Sequence, residues 1–282
     1  MREEKRRRKR SKRVFSRPWL AIYVVTLGTL GLALFFFQTT GGPQRKFDRG
    51  EGLFLDGDYN RALRKFRRLY EQHPHSSLAP QALLQSGEIL YLHLGREQEA
   101  LLTYLLVQRD YPGYPEDSRA QQRAAEIYKY RLEDYDRALT AYQKLLDSGD
   151  PGGENFQYEI ADIYFRRNHF EQARIEFEHY LKQYPDSERL DEVLFRVASI
   201  HALEGTLKEA ASIFQGLADQ YPASPYYREA LYGLAMVREE RGELQAALDL
   251  LERLQKDYHR PEVLELRMDQ IRQRMEKKRK AI

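Results

Sequence analysis

The chain has 282 residues, of which 42% are hydrophobic and 32% are charged, enough for one or two globular domains or one array of repeats. It has no cysteine, which excludes disulfides, thiolate metal sites, cysteine nucleophiles and lipidation at cysteine. The net charge is +3, but residues 1–17 contribute +8 and residues 267–282 contribute +5, so the body between them carries −10. The small basic excess therefore does not indicate a nucleic-acid-binding domain.

The first predicted element is a membrane-spanning helix. Residues 19–37 are 19 consecutive residues without a charge. At about 1.5 Å per residue, such a helix covers roughly 28 Å, close to the ~30 Å hydrocarbon core of a bilayer. The basic residues ahead of it predict that the N-terminus is cytoplasmic and the rest of the chain lies on the far side.

The alternative for this segment is a cleaved signal peptide. Its apolar region is usually about 7–15 residues and is followed by a cleavage site of small residues. The uncharged run is longer than this, and the following "QTTGGPQ" contains no such site. We therefore predict a basic cytoplasmic tail at 1–17, an uncleaved transmembrane helix at 18–38 and a linker at 39–43.

The rest of the chain repeats one pattern six times. An alanine recurs at intervals of 35 to 38 residues, with an apolar residue three positions before it, an aromatic or leucine four positions after it, and a proline twelve positions after it. The residues that fit this signature are Tyr59, Ala62, Phe66, Pro74, Ala100, Tyr104, Pro112, Tyr135, Ala138, Tyr142, Phe170, Ala173, Phe177, Pro185, Ala210, Phe214, Pro222 and Ala247. Glu97 breaks the apolar position once, and the proline is displaced to Pro151 and Pro261 in two units.

This spacing predicts that each unit is a pair of antiparallel helices. The small alanine lets a neighbouring helix approach, the aromatic fills the space beside it, and the proline ends the helix. One pair cannot bury its apolar face alone, so neighbouring pairs must stack. Ser118 and Gln121 have the spacing of a capping box, which predicts a helix that starts at Ser118.

The stretches "GDYNRALRKF" and "NHFEQARIEFEHYLKQYPDS" resemble tetratricopeptide repeats (TPRs), and six such units in phase cover residues 44–260. The resemblance implies an all-α fold, a right-handed superhelical solenoid of about six helix pairs. In four units an aromatic residue or histidine precedes the proline, which resembles the repeats of bacterial envelope proteins such as the Tol–Pal periplasmic coordinator and the β-barrel assembly lipoprotein. Since no cysteine can carry a lipid, we expect the inner membrane rather than the outer membrane.

Residues 261–282 are predicted to form a capping helix with a basic end. Their apolar residues lie in a single stripe, as the solvated end of an array requires: Leu264, Met268, Ile271 and Met275. The terminal "KKRK" also suits the C-terminus of a helix. Binding of an anionic lipid or polymer by this end is the alternative interpretation.

Catalytic and metal-binding motifs are missing from the sequence. There is no H-E-x-x-H, no G-x-S-x-G and no glycine-rich phosphate loop. His73 and His75 in "HPH" are best explained as part of a turn. We therefore predict that the chain is not an enzyme and uses no metal or cofactor.

Binding of another protein is the remaining function. The TPR resemblance implies that the first helix of each pair lines a concave face. The family's inner-face positions correspond to Arg123, Tyr130, Arg131, Tyr158, Asp162, Phe165, Arg166, Phe195 and Tyr232. Arginine and tyrosine are enriched at binding hot spots, although several of these aromatics can instead pack between repeats. The Lys and Asn residues of the family's chaperone-tail clamp are mostly absent.

The resulting prediction is a single-pass protein of the bacterial inner membrane with its TPR array in the periplasm. It would act as a scaffold or assembly factor that binds protein or peptide partners, and not nucleic acid. Two alternatives stay open: a periplasmic binder of peptidoglycan or another envelope polymer, and an ancillary chaperone-like subunit at the secretion channel.

Overall fold

The structure, a computed structural model, describes residues 25–29, 42–255 and 258–280. Every regular element in these ranges is helical. Of the predicted membrane span, residues 25–29 are described and are helical, whereas the rest of that span and the basic tail lie outside the described residues. Within the ranges given above, no helix combines the length and the apolar character needed to cross a bilayer.

Thirteen helices are described from residue 42 onward, as six consecutive pairs and one final helix. They are α1 (Gly42–Leu55), α2 (Tyr59–Gln72), α3 (Ala79–Glu88), α4 (Glu97–Asp110), α5 (Pro115–Tyr130), α6 (Tyr135–Asp147), α7 (Gly153–Arg166), α8 (Phe170–Gln183), α9 (Leu190–Leu203), α10 (Leu207–Gln220), α11 (Tyr227–Glu240), α12 (Leu244–Leu254) and α13 (Pro261–Lys280). A single π-helical turn, Ile89–His93, extends α3. We call the first helix of each pair an A helix and the second a B helix.

The chain divides into two compact units between Arg123 and Ala124, inside α5. The first unit contains α1 to α4 and the start of α5. The second contains the end of α5 and all later helices. The all-helical array of repeats expected from the sequence is thus confirmed in both units.

The signature residues form the centre of each helix pair. All six alanines have no exposed surface, and the rings of Phe66, Tyr104, Tyr142, Phe177 and Phe214 are at most 2% exposed. In the first unit, glycines of the A helices make room for these rings. A Cβ added to Gly50 would lie 2.7 Å from the ring of Phe66, and one added to Gly87 would collide with Tyr104.

The turn inside each pair has one conformation that recurs six times. Five residues before each signature alanine, the backbone takes a positive φ, at Gly57, Gly95, Glu133, Asn168, Gly205 and Gly242. This left-handed conformation favours glycine, which has no Cβ to clash. Four of the six positions are glycine, and Glu133 is the one that departs furthest from that preference.

The final helix α13 buries one face. Leu264, Met268 and Ile271 are at most 1% exposed and join the core that α10 to α12 form, and Met275 packs against it. Its last turn carries the four basic residues of "KKRK". These contacts are those that the apolar stripe predicts.

The predicted start of α5 at Ser118 is wrong. The helix begins at Pro115, so Ser118 lies within its first turn. Proline suits the first position of a helix because its φ is already helical and its missing N–H is not needed there. The Asp117 carboxylate accepts a hydrogen bond from the Gly113 backbone N–H at 3.0 Å, which closes the turn before the helix.

Candidate functional site

A buried charge cluster joins the end of α5 to α7 in the second unit. The Lys129 side chain has no exposed surface, and its Nζ lies 2.5 Å from Glu159 Oε2 and 2.6 Å from Asp162 Oδ2. Arg166 Nε donates to the same Asp162 oxygen at 2.7 Å, and the Tyr130 hydroxyl donates to Glu159 Oε2 at 2.7 Å. Two cations and two carboxylates therefore compensate one another in this cluster.

The cluster changes the acid–base behaviour of its members. Burial alone raises the pKa of Asp162, but hydrogen bonds and charges from Lys129 and Arg166 outweigh this effect and hold the pKa below its ordinary value. Burial, together with the hydrogen bond to Glu159, raises the pKa of Tyr130. At neutral pH the Asp162 carboxylate is therefore ionised and the Tyr130 phenol is neutral, so both can keep their places in the cluster.

Part of this cluster faces solvent. Tyr130 is 48% exposed, and its ring lies 4.9 Å from Lys129 Nζ and 5.8 Å from the Arg166 guanidinium carbon. The Arg166 side chain is also 48% exposed. The cluster thus presents an aromatic ring and a guanidinium group that buried ion pairs hold in place.

A second set of contacts links α7 to α9. The Tyr158 hydroxyl donates to Glu192 Oε1 at 2.5 Å, and this carboxylate lies 3.8 Å from Arg196. The Arg196 guanidinium covers the half-buried ring of Phe165 at 5.2 Å, and Arg189 lies 5.0 Å from the ring of Tyr158. Arginines on α9 and its N-cap therefore stack on aromatics of the preceding A helix.

Aromatic stacking continues toward the C-terminus of the second unit. Phe195 of α9 stacks on Tyr226 at 5.4 Å and contacts Phe214 at 5.9 Å. Tyr232 of α11 stacks on Tyr258 at 5.5 Å. Both Phe195 and Tyr232 are half-buried, so these stacks fix the rings and leave part of each face accessible.

Two further carboxylates on A helices bind arginines. In the second unit, Glu239 of α11 is 3% exposed and accepts hydrogen bonds from Arg267 at 2.6 Å and Arg274 at 2.5 Å, both on α13. In the first unit, Glu88 of α3 accepts a hydrogen bond from Arg123 of α5 at 3.0 Å. Within each unit, charged side chains of one A helix thus pair with the next A helix or with α13, about one repeat later in the sequence.

The nine predicted binding residues occupy different environments. Tyr158 and Asp162 are buried; Arg123, Phe165, Phe195 and Tyr232 are half-buried; Tyr130, Arg131 and Arg166 are exposed. The structure brings Tyr130, Asp162 and Arg166 into one cluster. Whether these residues contact a partner remains a prediction.

Sequence reasoning missed four residues that organise this face: Lys129, Glu159, Glu192 and Arg196. Lys129 lies between two tyrosines in "YKYR", and this pattern predicts a solvent-exposed lysine side chain. A search for opposite charges one repeat apart would have found it, since Lys129 and Asp162 are 33 residues apart. In the ranges the structure covers, no three His, Asp or Glu side chains are arranged to hold a metal ion.

The consecutive helix pairs, the buried alanines and the recurrent turn define a helical repeat protein. Family models described as "Tetratricopeptide repeat" match residues 47–115, 127–188, 192–224 and 229–258. The chain therefore belongs to the tetratricopeptide repeat family. The family's repeats form scaffolds for protein–protein interaction, and this is the general role of the fold.

Several solved structures have the same fold at low sequence identity. A tetratricopeptide repeat protein from Parabacteroides merdae has a TM-score of 0.55 and 19% identity, over 77% of this chain and 80% of that one. YrrB, described as a TPR protein with an unusual peptide-binding site, has a TM-score of 0.54 and 19% identity, over 73% and 97%. PilW, described as a widely conserved type IV pilus biogenesis factor, has a TM-score of 0.51 and 16% identity, over 79% and 97%.

At these identities the likeness shows the fold alone. No protein of curated function matches the chain significantly.

Proposed function

We propose that this chain is a single-pass protein of the bacterial inner membrane whose periplasmic array binds a segment of a partner protein without catalysis. The observation that carries the binding proposal is the face of the A helices in the second unit. There, Tyr130, Phe165, Arg166 and Arg196 present rings and guanidinium groups that are exposed or half-buried. These are the chemical groups that contribute most to protein interfaces.

The buried ion pairs favour binding because they fix the binding groups in advance. A flexible side chain loses about 0.5–1.5 kcal/mol of conformational entropy when an interface orders it. Arg166 is already held by Asp162 at 2.7 Å, and Asp162 is in turn held by Lys129. Arg196 is stacked on Phe165 in the same way. Much of the conformational entropy of these side chains is thus already lost in the free protein, before a partner binds.

The membrane part of the proposal is supported by the sequence. The uncharged run of residues 19–37 has the length of a bilayer span, and the dense basic residues before it favour a cytoplasmic N-terminus. PilW, which shares the fold, is described as a type IV pilus biogenesis factor. An assembly role of that kind is our proposal for this chain.

Photo-cross-linking tests the binding face. A photoreactive amino acid replaces Tyr130 in the full chain in cells, and a matched control replaces Ile175, which is exposed on the B helix α8. We expect a discrete cross-linked partner at residue 130, none at residue 175, and loss of the product when Arg166→Ala and Arg196→Ala are added. Equal cross-linking at both positions would contradict the proposal.

Reporter fusions test the membrane side. One reporter that is active only outside the cytoplasm and one that is active only inside it are fused after residue 282. We expect activity from the outside reporter alone. Activity of the inside reporter alone would place the array in the cytoplasm and refute the periplasmic part of the proposal.

A further inference from the structure

Four basic residues line the outer side of α2, the B helix of the first repeat. Arg61, Arg64, Lys65 and Arg68 follow the spacing i, i+3, i+4 and i+7, which places them on one side of a helix. The buried residues of α2 lie on the other side: Ala62, Leu63, Phe66 and Leu69. We call these four residues the basic stripe.

The basic stripe is poorly neutralised by the protein itself. Arg61 pairs with the N-cap residue Asp58 at 3.3 Å. Among the residues the structure describes, no acidic side chain lies within ion-pair distance of Arg64, Lys65 or Arg68. The whole of α2 carries five Lys and Arg and only one acidic residue, Glu71. Arg64 and Arg68 are exposed and Lys65 is half-buried, and these three adjacent cations have no internal counter-charge in the described part of the chain.

The TPR framework does not require basic residues at these positions. Arg64, Lys65 and Arg68 lie two, three and six residues after the signature alanine. The same positions in the other five repeats hold Leu102, Thr103 and Leu106; Thr140, Ala141 and Lys144; Ile175, Glu176 and His179; Ser212, Ile213 and Gly216; and Asp249, Leu250 and Arg253. Only the first repeat combines three cations, so the stripe belongs to this repeat and not to the fold.

The first repeat is also the repeat next to the proposed membrane span. Helix α1 begins at Gly42, five residues after residue 37, the end of the proposed span's apolar run. Five residues of chain reach at most roughly 17 Å. The C-terminal end of α2 lies beside the start of α1, where Lys46 Nζ is 2.6 Å from Gln72 Oε1. The stripe thus lies on α2, which packs beside the helix that directly follows the proposed span.

We propose that the basic stripe docks on the anionic phospholipid surface of the membrane that anchors the chain. This inference rests on the anchoring part of the proposed function. Guanidinium groups bind phosphate through paired hydrogen bonds, and clustered cations near a bilayer are attracted to anionic lipid within about 10 Å at 0.1 M salt. A straight row of charges on a single helix, without a groove, matches a flat charged surface. Docking would hold the first repeat against the bilayer.

The absence of cysteine allows a clean spectroscopic test on the full chain. A polarity-sensitive fluorophore is attached at Gln72→Cys, four residues after Arg68 on the same side of α2. The control label is placed at Ser212→Cys, the position in α10 that corresponds to Arg64 and is exposed. Each protein is reconstituted into nanodiscs of phosphatidylcholine alone or of an equal mixture of phosphatidylcholine and phosphatidylglycerol.

We expect the fluorophore at residue 72 to report a less polar environment in the anionic discs, and the fluorophore at residue 212 to report no change. The effect should disappear at high salt and in the variant Arg64→Glu/Lys65→Glu/Arg68→Glu. It should persist in the matched reversal Lys277→Glu/Lys278→Glu/Arg279→Glu, which removes three exposed cations elsewhere. If the first triple variant is unfolded by circular dichroism, Lys65→Gln/Arg68→Gln replaces it.

An unchanged signal at residue 72 in anionic discs that hold the protein would overturn the inference. A response to soluble poly-glutamate but not to anionic lipid would also overturn it and assign the stripe to an acidic protein. Co-fractionation of the chain with discs of phosphatidylcholine alone tests membrane anchoring independently of the basic stripe. If the chain fails to co-fractionate, the anchoring proposal fails, and added anionic vesicles then test the stripe by itself.

Discussion

Lys129 illustrates how a single residue links repeats of the second unit. An ammonium group without a partner in a protein interior costs several kcal/mol, and ion pairs offset that cost only with good geometry. Lys129 meets this condition, with two carboxylates at 2.5 Å and 2.6 Å from its Nζ. Asp162, in turn, has Arg166 as a second cation. The cluster therefore depends on each of its charges being present.

Removal of the Lys129 charge should destabilise the protein. We expect Lys129→Met to lower the free energy of unfolding by ~3 kcal/mol, because two carboxylates lose their shared buried cation. The variant Lys129→Met/Asp162→Leu should lose less than the sum of the two single variants. Urea unfolding of the four proteins gives the coupling energy. Additive losses would show that Lys129 and Asp162 do not stabilise each other.

Glu133 is a residue whose backbone conformation conflicts with its side chain. Its φ is +51°, in the left-handed region that costs a residue with a Cβ about 1–2 kcal/mol. We expect Glu133→Gly to raise the stability by about 0.5–1 kcal/mol, after allowance for the greater freedom of glycine in the unfolded chain. Thermal unfolding checks this. The control Gly205→Ala, at the corresponding turn with φ +77°, should lower the stability; a loss in both variants would contradict the explanation.

At the scale of the element, helix pairs in the first unit depend on close approach at glycine. We expect Gly50→Ala to destabilise the protein by ~1–2 kcal/mol, because the new Cβ would lie 2.7 Å from the buried ring of Phe66. Gly52→Ala on the same helix should instead stabilise it by up to about 1 kcal/mol, since nothing lies within 4 Å of the added Cβ and alanine favours helix. The sign of the two changes in melting temperature is the measurement. Stabilisation by both would show that Phe66 can move aside.

At the scale of the whole molecule, buried tyrosines predict sensitivity to alkali. Burial raises the pKa of Tyr111 in the first unit and of Tyr180 in the second unit to about 12, from an ordinary value of 10. Both phenols bind their proton more tightly in the folded protein than in the unfolded chain. Their contribution to the free energy of unfolding is therefore complete below pH 10 and is lost as the pH rises through about 12. We expect the melting temperature to fall across this window.

The variant Tyr180→Phe provides the control for this pH dependence. It removes one titrating group, while Glu154 and Ser187 keep the hydrogen bond of 2.7 Å between them. The fall in melting temperature with rising pH should be shallower in this variant than in the original chain. An identical slope would show that Tyr180 does not titrate in the transition.

The charge contacts of the A helices link several repeats within one unit. In the second unit they extend from α5 through α7 and α9, and again from α11 to α13. The face that we propose for partner binding is therefore stabilised by the same contacts that join consecutive repeats. A variant that breaks these contacts would weaken stability and binding together. Arg166 and Arg196 take part in such contacts, so the cross-linking test counts only if the double variant keeps the melting temperature of the original chain.

The repeat could be predicted from the sequence because its causes are local or periodic. Alanine, the aromatic four residues later and the proline beyond it fix the helix pair, and the single stripe of Leu264, Met268 and Ile271 predicts a terminal helix. The start of α5 was predicted wrongly because Pro115 and the capping pattern at Ser118 are both valid signals for the start of a helix. The local sequence alone does not indicate which of the two is used. The recurrent turn with a positive φ was not predicted at Glu133, since glutamate is not typical of that backbone conformation.

By itself, the sequence determined the family, the six helix pairs and the capping helix, since each follows from spacing along one chain. Only the tertiary structure decided which polar residues are buried. Lys129 and Asp162 look like solvated helix positions until neighbouring repeats are stacked, when residues 33 apart come within 2.6 Å. Burial of a charge depends on the helix opposite it, and that helix belongs to another repeat.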